Sequence, residues 1–388
     1  MSKFLKIMIV LLTIAAVAAP VMAEDRLGLS GQMRVRGWHI DNENDLGDNT
    51  NSFFDQRLRI GGKFSIADGV SVTFRTDITE STWGTTGGGN GYGSGRSGYD
   101  GSNQWDRAHL DIAFDSFSLR AGQQYVEFGA GATISSQDNG FKVVSGPVTA
   151  FFLLDDNNGD TVGESDDYLY GANYGYKADG YKANLFVASQ KGDGEEVYLI
   201  GADTTFNLDA VKIVAELDFF TGDASDAVDA FGTQLMVDAS MAASETMTFG
   251  GQLFYALGDE EDAQYVVLGN DFGGWDPLFD VGTGLDNEKI GAGRPYDVFD
   301  DNAGVIAGRL YTSVKASDAA TFGASVLYAV PEEDANLPDV DSALGLAAGL
   351  SYKLMANTKL DVQVEYIDVD APDFEAIMQG GFGLFVNF

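Results

Sequence analysis

The sequence lacks cysteine altogether and has only two histidines in 388 residues. Without cysteine, disulfide bonds, thiolate metal sites and covalently attached haem are excluded. His39 and His109 fall on different predicted strands. Because side chains alternate between the two faces of a strand, His39 is expected to face lipid or the rim and His109 the lumen. Neither has a serine elbow or a second histidine beside it. We therefore expect no enzyme and no cofactor.

Basic residues are also scarce: 23 lysines and arginines stand against 59 acidic residues, for a net charge of −36. This balance argues against nucleic acid as a partner. Strong acidity is typical of disorder, but 45% hydrophobic and 12% aromatic residues argue for a folded chain. The charge is therefore expected to be segregated within the fold.

Long hydrophobic runs are missing as well, which excludes membrane-spanning helices. The longest run, Ile7 to Ala19, follows Lys3 and Lys6 and precedes the small residues Val21 and Ala23. At about 13 residues it falls short of the roughly 20 that span a bilayer, which argues against an N-terminal anchor. We predict a signal peptide in 1–23, cleaved after Ala23, and one domain in 24–388.

Glycine is abundant, with 49 residues, and separates runs of about ten residues in which polar and apolar side chains alternate. Such runs predict β-strands. Eighteen are expected, near 27–40, 52–66, 70–79, 104–114, 116–126, 140–145, 147–154, 167–177, 181–190, 197–206, 210–220, 230–239, 246–255, 304–316, 319–328, 344–353, 358–367 and 379–388. If the short run 140–145 does not pair, the count falls towards 16.

Short and long connections alternate between these runs. The long set is polar and comprises 41–51, 80–103, 127–139, 155–166, 191–196, 221–229, 256–303, 329–343 and 368–378. This alternation predicts an all-β, antiparallel up-and-down transmembrane barrel with short periplasmic turns and long extracellular loops. Many acidic residues fall on the long set, as in the run from Asp259 to Asp262.

The run 52–66 shows what the two faces of each strand would meet. Phe54 and Leu58 lie on one face, and Arg57 and Arg59 on the other. Alternation alone does not say which face is inside. The signal peptide and the aromatic last strand indicate that the charged face lines the lumen. The terminal residue Phe388 resembles the signal by which outer-membrane proteins are recognised for barrel insertion.

Seven arginines on the first five strands share lumenal parity: Arg34, Arg36, Arg57, Arg59, Arg75, Arg107 and Arg120. The segment after them, Glu127-Phe128-Gly129, resembles the Pro-Glu-Phe-Gly-Gly motif of the general diffusion porins, although Val126 and Ala130 depart from it. The resemblance implies a third loop that folds inward, with Glu127 and Asp138 opposite the arginines at a pore constriction. The alternative is a set of stiffening salt bridges to Asp55, Asp77 and Asp111.

The leading hypothesis is an outer-membrane porin that passes ions and small hydrophilic solutes. By the same alternation, the lumenal face also carries the acids Glu216, Asp218, Asp238, Asp361 and Glu365. Together with the acidic loops, these acids favour a modest preference for cations. By analogy with the resembled family, the glycine-rich stretch 84–101 would contact a neighbouring subunit in a homotrimer. Expected partners also include outer-membrane lipid, lipopolysaccharide and the barrel-assembly machinery.

Other possibilities remain open. A channel specific for a sugar or an anion is one, and a surface adhesin or structural barrel that works through loop 256–303 is another. Asp156, Asn158 and Asp160 are weak calcium candidates, because their spacing does not fit the twelve-residue calcium loop.

Overall fold

The computed structural model describes 26–41, 50–83, 105–129, 133–156, 167–192, 194–259, 263–265, 267–268, 302–333, 340–372 and 375–388. The predicted signal peptide in 1–23 lies outside these ranges. No helix among the described residues is long and apolar enough to cross a membrane.

The described residues form nineteen strands. They are β1 Leu27–Asp41, β2 Thr50–Ala67, β3 Val70–Thr82, β4 Trp105–Ala113, β5 Ser118–Phe128, β6 Ile134–Ser145, β7 Val148–Asp156, β8 Asp167–Ala178, β9 Tyr181–Lys191, β10 Glu196–Leu208, β11 Val211–Ser225, β12 Val228–Ser244, β13 Met247–Ala256, β14 Ala263–Gln264, β15 Val305–Lys315, β16 Ala320–Val330, β17 Ser342–Met355, β18 Thr358–Asp370 and β19 Ile377–Asn387.

Eighteen of these strands close into an antiparallel barrel. Each pairs with the next along the chain, and β13 pairs directly with β15. β19 pairs with β1, and the backbones of Gly31 and Phe388 exchange hydrogen bonds of 2.7 and 2.9 Å at this seam. The two-residue β14 runs parallel to β12 and is not a wall strand. The predicted count of 18 is confirmed.

Two of the predicted long connections are much shorter than expected. The prediction of a loop over 221–229 was wrong, because β11 and β12 continue to a turn of two residues, Asp226 and Ala227. The prediction of a loop over 127–139 was also wrong in extent, since β5 runs to Phe128 and β6 starts at Ile134. Glycines and small polar residues break the alternating pattern there, but main-chain hydrogen bonds still form between the paired backbones.

The two faces of the barrel have inverted polarity relative to a soluble protein. Arg36 and Asp361 on the inner face are 0% exposed, whereas Leu253 and Leu310 on the outer face are each 66% exposed. Charged residues are rarely buried in soluble proteins, and large contiguous apolar surfaces are rarely left in water. An apolar exterior around a charged interior is the arrangement of transmembrane barrels, so the predicted orientation of the strand faces holds.

Candidate channel constriction

The hairpin between β5 and β6 leaves the barrel wall and enters the lumen. Pairing of β5 with β4 ends at Gln123, and pairing of β6 with β7 ends at Asn139, yet β5 and β6 stay paired to each other up to Phe128 and Ile134. Gly122, at the start of the departure, has a φ of 119°, and a Cβ there would strike the carbonyl oxygen of Ala108. We call residues 124–129 and 133–138 the constriction hairpin.

One face of the constriction hairpin packs against an apolar part of the lumenal wall. Val126, Phe128 and Ile134 are buried on this face, and the ring of Phe128 lies 5.1 Å from that of Phe151. The same cluster contains Leu153, Leu169, Phe186, Ala188, Val197, Leu199, Phe220, Ala230 and Leu268. Full burial of each large apolar side chain stabilises by about 1.5–3 kcal/mol. This contact therefore holds the hairpin inside the barrel.

The tip of the constriction hairpin reaches β11 and β12, six strands further round the barrel. Thr133 Oγ1 lies 2.8 Å from Asp218 Oδ2 and also contacts Glu216. Gln234 Nε2 donates a hydrogen bond of 3.2 Å to the same Thr133 oxygen. Gly129 lies against the Glu216 carboxylate, because a Cβ there would overlap it. The hairpin therefore runs as a chord across the lumen.

A segment of the connection between β13 and β15 binds the hairpin tip. Leu268 N donates to Thr133 O at 2.8 Å, and Ser135 N donates to Leu268 O at 3.1 Å. In the same segment the Tyr265 hydroxyl donates to Glu195 at 2.9 Å. Burial and this carboxylate raise the pKa of Tyr265, so its hydroxyl stays a donor.

The other face of the constriction hairpin is turned towards β3 and β4. The Tyr125 hydroxyl lies 2.7 Å from Asp106 Oδ1, and the guanidinium of Arg107 lies 4.9 Å from the Tyr125 ring centre. Glu127 is two residues further along the same face and is exposed. The hairpin thus presents Glu127 on the face whose tyrosine contacts the arginine-bearing wall.

Most of the predicted lumenal arginines form ion pairs within their own wall. Arg36 lies 2.9 Å from Asp55, Arg59 2.6 Å from Asp77, and Arg120 2.7 Å from Asp111. Arg34 and Arg57 lie opposite each other on β1 and β2, and both are buried. The three aspartates that the sequence offered as stiffening partners therefore all contact arginines.

Asp106 is the member of this wall that the sequence did not reveal. It contacts Arg75 at 2.6 Å, Arg107 at 3.2 Å and Arg59 at 3.4 Å. Strict alternation from Arg107 would turn Asp106 outward, but a register shift in the β3–β4 pairing next to Arg75 brings it inside. It joins three arginines to the constriction hairpin through Tyr125.

The remaining predicted site residues are distributed as follows. Asp138 shares the hairpin face of Gln124, away from Glu127, and accepts a hydrogen bond from Ser136. His109 is buried in the lumen, His39 is exposed, and Phe388 is 61% exposed on the outer face. The calcium candidates Asn158 and Asp160, and the side chain of Asp156, lie outside the described residues.

The lumenal acids lie in two separate parts of the barrel. Glu216 and Asp218 on β11 are buried, and Asp238 on β12 accepts a hydrogen bond of 3.0 Å from the Tyr311 hydroxyl. Asp361 and Glu365 are buried on β18, which β19 separates from β1. No group of three or more histidine, cysteine or acidic side chains placed to hold a metal ion occurs in the described part of the chain.

Comparison with known proteins identifies the fold. No protein-family model and no curated protein matches the sequence. Among solved structures, Pseudomonas aeruginosa OccK9 (OpdG) has a TM-score of 0.63 at 12% identity, covering 94% of this chain and 98% of that one. A BenF-like porin from Pseudomonas fluorescens Pf-5 gives 0.62 at 11%, with coverages of 93% and 98%.

The outer membrane channel DcaP of Acinetobacter baumannii is also similar, with a TM-score of 0.51 at 14% identity and coverages of 93% and 97%. At such identities the likeness concerns the fold alone and does not single out the general diffusion family that the loop motif resembles. The chain has the closed barrel fold of outer-membrane porins.

Proposed function

We propose that this protein is a bacterial outer-membrane porin whose lumen passes ions and small hydrophilic solutes by passive diffusion. The observation that carries the proposal is a charged lumen, closed on all sides by backbone pairing and crossed by one inward hairpin. A barrel with a polar interior and an apolar exterior admits water, and a chord across it limits the size of what passes.

The charges support a constriction with a transverse electric field. On β1 to β5, seven arginines stand against four aspartates, Asp55, Asp77, Asp106 and Asp111. Asp361 and Glu365 on β18, which β19 separates from β1, offset part of the remaining positive charge. Six to nine strands further round the barrel, Glu216 and Asp218 on β11 are acidic. A field between such walls orients water and dipolar solutes, and it disfavours apolar ones.

Planar-bilayer recording of the purified full chain tests this proposal. We expect stable single-channel steps that persist with small neutral solutes and fall once the solute exceeds the passage beside the constriction hairpin. A silent bilayer would contradict a channel and favour a structural barrel. Block by one class of solute at low concentration would replace general diffusion by a substrate-specific channel.

Location and partners are part of the same proposal. The apolar exterior suits outer-membrane lipid and lipopolysaccharide, after export through the 1–23 signal peptide and insertion by the barrel-assembly machinery at the strand ending in Phe388. We also propose a homotrimer. Membrane fractionation tests the location, and chemical cross-linking in the membrane tests the subunit number: a single species at monomer size would overturn the trimer.

A further inference from the structure

Asp218 is a completely buried carboxyl group, and it has no basic partner among the residues that the structure describes. Its exposed fraction is 0%, and it is bonded by Thr133 at 2.8 Å and Gln234 at 3.1 Å. Its remaining neighbour is Glu216, which is 3% exposed. In the described ranges no lysine, arginine or histidine contacts Asp218. A buried carboxylate with no positive partner is costly, so a compensating positive charge is required.

The number of hydrogen atoms available around the Thr133 hydroxyl also requires an added positive charge at this site. Its hydroxyl carries one proton, yet it contacts both Glu216 and Asp218, and it already accepts from Gln234. With both acids ionised, one carboxylate oxygen would face the Thr133 oxygen with no proton between them. One added proton resolves this: a carboxyl donates to Thr133, and Thr133 donates to the other carboxylate.

The second oxygen of Asp218 fits a neutral carboxyl. Asp218 Oδ1 is buried above Gly201, where a Cβ would overlap it, and no described residue donates a hydrogen bond to it. A buried oxygen without a donor costs much less in a neutral acid than in an anion. On the lumenal faces of the neighbouring strands the titratable groups are Asp203 on β10 and Asp238 on β12, which are acids and supply no positive charge. The base on the lumenal face of β11, Lys212, is exposed and lies four residues before Glu216.

We propose that Glu216 and Asp218 share one proton, and that this protonated pair positions the constriction hairpin through Thr133. The inference rests on the proposed channel function and adds its regulation by pH. The pair holds the tip while the proton is bound. As the pH rises and the proton leaves, two buried charges face each other, the Thr133 bridge fails, and the tip is released into the lumen.

Single-channel recording of the full chain from mildly acidic to alkaline pH tests the consequence. We expect the wild type to change from quiet to flickering conductance in one transition. Asp218→Asn, which cannot ionise, should stay quiet throughout, and Thr133→Val should flicker at every pH. The control Asp318→Asn also removes an acid, but a fully exposed one in the turn between β15 and β16, and should follow the wild type.

A second measurement does not depend on conduction. At neutral pH, the difference between the infrared spectra of the wild type and Asp218→Asn should contain the carbonyl stretch of a protonated carboxylic acid. The difference between the wild type and the control Asp318→Asn should lack it. A silent bilayer together with the presence of this band would refute the channel function but support the shared proton. Absence of the band, or an Asp218→Asn channel that responds to pH like the wild type, would overturn the shared proton. So would a transition caused by a chelator instead of pH, because it would place a divalent cation in the pair.

Discussion

Replacing Glu127 by glutamine removes one negative charge from the pore-facing side of the constriction hairpin and keeps the size of the side chain. Glu127 is exposed, and its neighbours Val126 and Phe128, which anchor the hairpin, point to the opposite face. We therefore expect the folded barrel and its thermal stability to be unchanged, and the effect to appear in ion selectivity alone.

The size of that effect follows from Coulomb's law. An ion that passes about 5 Å from the carboxylate in water interacts with it by about 0.8 kcal/mol, and screening at about 0.1 M salt leaves about 0.5 kcal/mol. Loss of the charge lowers the local cation concentration about 2.3-fold and raises that of anions about 2.3-fold. The cation-to-anion permeability ratio should therefore shift about fivefold towards anions.

Reversal potentials in a salt gradient measure this ratio. The control is Glu245→Gln, which makes the same substitution in the short turn between β12 and β13. We expect the control to keep the wild-type ratio. If Glu127→Gln shifts selectivity no more than Glu245→Gln does, Glu127 does not line the narrowest part of the pore, and the arginines and their aspartates only stiffen the wall.

Three further outcomes follow. Asp106→Asn weakens contacts with three arginines and should destabilise the barrel by about 2–3 kcal/mol in urea unfolding. Asp318→Asn, which breaks one surface pair, should have no measurable effect, and equal effects of the two substitutions would refute the network. Leu346→Arg places a charge in lipid and should cost up to about 2–4 kcal/mol, whereas Ala347→Arg, on the lumenal face opposite Glu365, should be tolerated; the reverse order would contradict the assigned faces. Phe388→Ser should lower the fraction of chain assembled in the outer membrane, as measured by fractionation, and unchanged assembly would show that the terminal phenylalanine is dispensable.

The barrel wall was predictable because each of its strands carries its own evidence. Alternation in a run such as 358–367 shows its two faces without reference to any other strand, and β18 has Asp361, Gln363 and Glu365 buried as that pattern requires. The strand count followed from adding such local patterns. Even the doubtful run 140–145 is part of a real strand, because β6 extends back to Ile134.

The constriction was only partly predictable, because it depends on contacts between distant parts of the chain. Thr133 meets Asp218, 85 residues later, and nothing near Thr133 in the sequence indicates this. Asp106 needed a register shift that local alternation does not show. Asp138 was expected beside Glu127, but it lies on the other face, because the hairpin is a pair of strands and not an irregular loop.

The central claim is that Glu127 lines a water-filled passage beside the constriction hairpin. The chain has no cysteine, so Glu127→Cys creates a single reactive thiol. During single-channel recording, a negatively charged methanethiosulfonate should shift selectivity back towards cations, and a positively charged one should shift it further towards anions, each with a stepwise fall in conductance. If the open channel conducts identically before and after both reagents, although labelling of the thiol is verified by mass spectrometry, the account of the constriction is contradicted.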